Sequence, residues 1–306
     1  MMKVPIDVPI IVNLAGGKGG AGTSTFTANL AYALGSTEAA YGYIGVIDTA
    51  LGANSTLSKL LGIPPLASNG FWNYIFSRFC DPGCGIDYSP NVDVKPEPIQ
   101  HMLVVTSGTY TALQIDWGLT YVTARLGSDP YKVGWALHNA VLDLILEKVM
   151  KGGANLVIID VPSTISRPLV WALLMMARIV NVVVKAGSTH QDEAMETLQI
   201  VREVLNQRTS LGMPPFDVVL IVNQAMPGDN TVNDLKARGA PMTEARVLPA
   251  SPAVQVITDR LKEPAIRYDV PEDKYFRKWR EEVLSIARRE YEMVRGKPKS
   301  WRRGPI

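Results

Sequence analysis

Short apolar runs alternate with longer stretches in which apolar residues recur every three or four positions. The runs fall near residues 9–15, 43–48, 102–106, 155–160, 179–185, 217–223 and 245–248, and each has the length of a strand buried on both faces. Between them the helical spacing predicts helices near 23–34, 54–61, 134–151, 167–177, 190–207, 252–262 and 274–294, the first closed by Gly35. Strand and helix in alternation predict an α/β fold, a doubly wound, mostly parallel sheet flanked by helices in three layers. Ligands of such folds bind beyond the carboxyl ends of the strands. The residues that follow each apolar run are therefore the ones to read for chemistry.

After the first run comes Gly16-Gly17-Lys18-Gly19-Gly20-Ala21-Gly22-Thr23-Ser24-Thr25, and then a helix. Strand, glycine loop and helix are the context in which a phosphate-loop pattern becomes a site. Glycines let successive N–H groups face one anion, and the helix N-terminus adds its partial positive charge. Against the pattern G-x-x-x-x-G-K-[ST], Gly17 and Gly22 keep the spacing and Ser24 holds the place of the magnesium-ligating hydroxyl. Thr23 stands where the lysine belongs, and a neutral hydroxyl cannot replace an ammonium between two phosphate oxygens. Lys18 lies five residues earlier.

Three further segments follow in order. The second run leads into Asp48-Thr49-Ala50, with Asn54 and Thr56 beyond it. The fourth ends in Asp160-Val161-Pro162-Ser163. The sixth ends in Asn223, and Arg246-Val247-Leu248-Pro249-Ala250-Ser251-Pro252 follows the last. Asn223 can donate and accept on a base edge with its amide.

Together these segments resemble the ParA/MinD group of P-loop ATPases, whose deviant Walker A motif reads K-G-G-x-G-K-[ST]-T. The resemblance covers roughly residues 9–265. It implies ATP or ADP with Mg²⁺ in a homodimer, cradled by Gly17, Lys18, Gly19, Gly20, Ala21, Gly22, Thr23, Ser24 and Thr25. Lys18 would reach the partner's nucleotide and, with Asp48, serve catalysis. Ser24, Asp48 and Asp160 would serve the metal, with Asp160 as the Walker B aspartate. Asn223, Leu248, Pro249 and Ala250 would bracket the adenine. Ala50 replaces the family's second aspartate, and a methyl group neither orients water nor accepts its proton. Loss of that carboxylate and of the lysine at Thr23 predicts weak or absent hydrolysis.

Composition changes the picture in two places. The chain has 306 residues, 47% hydrophobic and 20% charged, with a formal net charge of +2, so no global attraction to nucleic acid or membranes follows. Between Lys274 and Arg303, however, eleven Lys and Arg face four Glu, a local +7. That predicts a nucleotide-binding domain over residues 1–273, followed by a C-terminal helix and basic tail over 274–306. Residues 295–303 read as an arm for DNA phosphates or an anionic surface. The helix before it carries an apolar stripe of Tyr275, Phe276, Trp279, Val283, Ile286 and Ala287 that would dock on the body. No secretory signal or membrane-spanning run is evident, and the expectation is a cytoplasmic protein.

Residues 62–100 form a long insertion carrying Phe71, Trp72, Tyr74 and Phe76 and the pair Cys80 and Cys84. Two readings stand: anchors for a protein partner, or a satellite core over the sheet edge. The cysteines read as a small loop disulfide or as a weak metal signal, the latter belonging to a reductase or metal-insertion relative. The functional readings are a nucleotide-gated dimer positioning DNA or another cargo, and a pseudo-ATPase scaffold that recruits its partner through the insertion and tail.

Overall fold

The computed structural model describes residues 9–17, 20–38, 42–53, 55–90, 92–127, 129–162 and 166–295. Lys18, Gly19, Asn54, Ser163 and the tail from 296 onward lie outside the described residues. The strands are β1 (Ile10–Ala15), β2 (Tyr43–Asp48), β3 (Glu97–Ile99), β4 (Met102–Val105), β5 (Ala154–Val161), β6 (Ile179–Lys185), β7 (Asp217–Ala225) and β8 (Glu244–Pro249). They form one sheet in the order β3-β4-β2-β5-β1-β6-β7-β8. Every pairing is parallel except β3 with β4, where the insertion adds an antiparallel edge. The continuous Val/Ile runs β1, β5, β6 and β7 occupy the middle of the sheet, buried on both faces as parallel strands require.

The helices are α1 (Thr23–Glu38), α2 (Thr56–Leu61), α3 (Phe71–Phe79), α4 (Ala112–Leu126), α5 (Pro130–Leu144), α6 (Arg167–Met176), α7 (Gln191–Ser210), α8 (Thr231–Ala237), α9 (Pro252–Val256) and α10 (Lys274–Arg295). Two of them, α5 and α9, continue into π-helical turns at Ile145–Met150 and Ile257–Leu261. One apolar layer packs α1, α2 and α10 on Ile11, Ile44, Ile158 and Ile179. The other packs α3 through α7 on Val12, Ile159, Val180 and Leu220. Alternate residues of the same strands feed opposite layers, as the two-residue period of a strand demands.

Several expectations change. Gly35 does not close the first helix, which runs on to Glu38 with Gly35 buried opposite His101. Helices α3, α4 and α8 and strand β3 stand where no element was expected, because their apolar positions are irregular or the segments short. In α10, Phe276, Trp279, Val283, Ile286 and Ala287 are buried as a stripe, whereas Tyr275 is 37% exposed and falls outside it. Among the described residues no helix is long and apolar enough to cross a membrane.

The aromatic insertion is core. Phe71, Trp72, Tyr74 and Phe76 are at most 3% exposed, so they are not surface anchors for a partner. Trp72 stacks on Phe76 at 5.7 Å, and its indole N–H donates to the carbonyl of Ala50 at 2.9 Å. Cys80 and Cys84 are joined by a disulfide across the turn after α3, and among the described residues no group of three or more His, Cys, Asp or Glu is placed to hold a metal. Replacing Trp72 by Ala should cost about 3–5 kcal/mol in denaturant unfolding, whereas a surface anchor would leave stability nearly unchanged.

Candidate functional site

The glycine loop leaves β1 at the centre of the sheet, between β5 and β6. Gly16 is pinned to β6 through its N–H to Val183 O at 2.8 Å, and the loop re-enters helix with Phe26 N–H donating to Gly22 O at 2.8 Å. Gly17 has φ +130° and Gly22 φ +85°, conformations that L side chains rarely adopt. A Cβ on Gly22 would lie 2.2 Å from the amide nitrogen of Asn223, so the close approach there is available only to glycine. That amide donates to Ala21 O at 2.9 Å, tying the end of the loop to β7.

At the ends of neighbouring strands the register sets Asp48 opposite Asp160. Both are buried, at 0% and 2% exposure. Asp160 accepts from Ser24 Oγ at 2.7 Å and from Thr27 Oγ1 at 2.9 Å, both on the first turns of α1. Asp48 accepts from Ala50 N–H at 3.0 Å, from Ser58 Oγ at 2.9 Å and from Ser55 Oγ. Ser55 also caps α2, taking the N–H of Ser58. Each carboxylate therefore has the donors that a buried charge needs, yet burial still dominates. Burial, reinforced by the negative charge of Asp48, raises Asp160 to about 7. Burial likewise raises Asp48, against the pull of its hydroxyl and amide donors.

On the other side of the loop a cleft of about 400 Å³ is lined by Gly22, Thr25, Phe26, Asn223, Pro249 and Ala250, among others. Leu248 lies at its base, 1% exposed. Ala250 N–H donates to Ala225 O at 2.9 Å, which fixes the β8 loop against the end of β7.

No protein-family model and no curated protein matches the chain. Solved structures do. MinD, the septum site-determining protein of Pyrococcus horikoshii OT3, solved with Mg-ADP, superposes with a TM-score of 0.62 at 18% identity, over 95% of this chain and 99% of that one. The chain has the MinD/ParA fold. A variant of Cyanothece McdA in complex with ATP aligns with this fold at a TM-score of 0.62 and 14% identity, over 96% and 98% of the two chains. A ParA family ATPase of Chlorobium tepidum aligns at 0.57 and 15%, over 92% and 98%. At these identities the likeness is one of fold.

Within this MinD/ParA-type sheet, the structure brings Gly17, Gly20, Ala21, Gly22, Thr23, Ser24, Thr25, Asp48 and Asp160 to one end of the central strands, with Asn223, Leu248, Pro249 and Ala250 at the adjoining cleft. Lys18 and Gly19 lie outside the described residues. Thr56 is exposed on the first turn of α2. Thr23 is buried, and its hydroxyl has no hydrogen-bond partner among the described residues. Sequence reasoning missed Asn13, Thr27, Ser55 and Ser58. A polar Asn13 inside an apolar strand was the visible signal, and Thr27 is one helical turn beyond Ser24.

The raised values of Asp160 and Asp48 carry a sign. A carboxyl whose folded value is raised contributes stability that is complete below its ordinary value of 3.8 and is lost as pH rises through about 7. Asp160→Asn should therefore flatten the pH dependence of thermal unfolding between about pH 4 and 7. Above pH 7 it should raise the Tm of the ligand-free protein by roughly 2 °C or more.

Proposed function

We propose that this chain is an adenine-nucleotide-binding protein of the ParA/MinD type. It dimerises around its nucleotide and positions DNA or another cargo, with weak or absent ATP hydrolysis. The observation that carries the reading is the continuity of the site. The glycine loop and the hydroxyl–carboxylate pair Ser24–Asp160 meet a cleft whose far wall is Asn223, Pro249 and Ala250.

The residues present fit a magnesium nucleotide. The loop offers backbone amides at the head of a sixteen-residue helix, Ser24 and Asp160 offer hard oxygen donors, and the buried Thr23 hydroxyl lacks a partner. Magnesium, when bound, neutralises phosphate charge. Asn223 and the backbone of Pro249 and Ala250 orient the base, and Lys18 supplies the positive charge that Thr23 does not, across the two-fold interface. The mononucleotide complexes among the structural neighbours, MinD with Mg-ADP and McdA with ATP, support this assignment.

Two features support slow hydrolysis. Ala50 carries no group to orient water, and its carbonyl accepts the indole N–H of Trp72. The segment around it is held further by Ser107 Oγ to Gly52 O at 2.9 Å and Ala53 N–H to Tyr110 O at 3.0 Å. The basic residues between 295 and 303 are the proposed arm for DNA phosphates. The scaffold reading keeps the tail as its contact surface, since the insertion's aromatics are buried.

In size-exclusion light scattering with ATP and Mg²⁺, the wild type should dimerise and Lys18→Ala should stay monomeric; dimerisation unchanged in the variant would defeat the proposal. In a turnover assay the wild type should be slow, and Thr23→Lys with Ala50→Asp should raise the rate by at least tenfold. Robust turnover by the wild type would remove the weak-hydrolysis part of the reading.

A further inference from the structure

Two asparagines stand inside the apolar layer beneath α1 and α10. Asn13 of β1 and Asn181 of β6 are both 0% exposed and are paired in register. Asn181 Nδ2 donates to Asn13 Oδ1 at 2.8 Å, Asn13 Nδ2 donates to Thr27 Oγ1 at 3.0 Å, and Thr27 Oγ1 donates to Asp160 Oδ1 at 2.9 Å. All three donors run one way, toward the phosphate-loop end of the sheet. At the other end, Asn181 Oδ1 has no donor. Beside Asn181 lies the carboxyl of Glu290 on α10, 1% exposed; neither oxygen makes a well-formed hydrogen bond, and the Asn181 amide is close enough to favour the charged form. Three unpartnered buried oxygens in one place are costly. A proton on Glu290 resolves the arrangement, because a neutral acid donates to the Asn181 carbonyl and completes the chain.

We propose that Glu290, Asn181, Asn13 and Thr27 form a two-position hydrogen-bond switch that joins the C-terminal helix to Asp160. With Glu290 neutral, every donor points toward Asp160. With Glu290 ionised, both amides turn over so that Asn181 donates to the carboxylate, Asn13 donates to Asn181, and Thr27 donates to Asn13. Asp160 then loses one of its two hydroxyl donors. Glu290 is thus a positioning residue, and the effect on nucleotide rests on the reading of Asp160 as the metal-side carboxylate.

The charged groups facing Glu290 are Glu244 and Arg246 on β8 and Arg289 on its own helix, while β6 presents only the non-titrating Asn181. Arg246 and Arg289 are both paired to Glu244, the former at 2.6 Å. Burial outweighs these charges and the lowering hydrogen bond from Asn181, and raises Glu290 from 4.5 to about 8. The switch therefore works near neutral pH. The stability that the neutral acid contributes is full below about pH 4.5 and is lost as pH rises through about 8.

The test follows the side-chain amide signals of Asn13 and Asn181 by NMR in the full-length, ligand-free protein from pH 6 to 9.5, in the wild type and in Glu290→Gln. Both signals should shift together with a midpoint near 8 in the wild type; in the variant, whose carboxamide carries no charge, that step should be absent and only the transition of Asp160 near 7 should remain. In parallel, the ratio of wild-type to Glu290→Gln affinity for Mg²⁺·ADP, in which the shared titration of Asp160 cancels, should fall about fivefold across that range, the worth of roughly one net hydrogen bond. Amide signals that ignore pH, or that titrate equally in the variant, would overturn the switch. Titrating amides with no nucleotide binding at any pH would sustain the switch and reject the nucleotide reading instead.

Discussion

Two carboxylates side by side in the dry end of a parallel sheet set the terms for everything around them. Asp48 and Asp160 face each other across β2 and β5, both buried. A buried charge without donors costs far more than a fold of this size can spare. The surrounding hydroxyls and amides follow from that constraint. Ser24 and Thr27 come from α1, Ser55 and Ser58 from α2 and its cap, and the turn amide from Ala50. The donors also hold α1 and α2 to the strand ends, so the site and the packing of its layer are one arrangement. Thr49 adds to it, its hydroxyl bonding the carbonyl of Asp160 at 2.7 Å.

The two layers on either side of the sheet divide the work differently. The layer beneath α3 through α7 is apolar and aromatic, and it takes in the insertion as core and as an edge strand. Through Trp72 it grips the segment that carries Ala50. The layer beneath α1 and α10 has a polar thread through it, from Asn181 through Asn13 to Thr27. A chain of hydrogen-bonded amides in low dielectric polarises along its length. Helix α10 packs on α1 and β8, and its buried Glu290 lies beside the Asn181 end of this thread.

Thr23 and Ala50 have different surroundings. Thr23 is buried with a hydroxyl that has no partner among the described residues, so its desolvation is not offset there. Ala50 is integrated: its N–H serves Asp48 and its carbonyl serves Trp72. The backbone at 50 therefore supports the site while its side chain offers no chemistry to it.

The doubly wound sheet was legible in the sequence because buried parallel strands are continuous apolar runs and the helices between them repeat every three or four residues. The glycine loop, Asp48, Asp160 and Asn223 were legible because each sits where such a run stops. Gly35 misled, since a glycine inside a helix packed against His101 looks locally like a terminus. The aromatic run at 71–76 was ambiguous, because its residue types suit a buried core and an exposed anchor equally. Only the tertiary structure decided that Trp72 is core and that Asp48 stands opposite Asp160. It alone put Asn181 against Asn13 and beside Glu290. Local periodicity determines which residues form strands and helices, whereas register across strands far apart in the chain determines which buried polar groups meet.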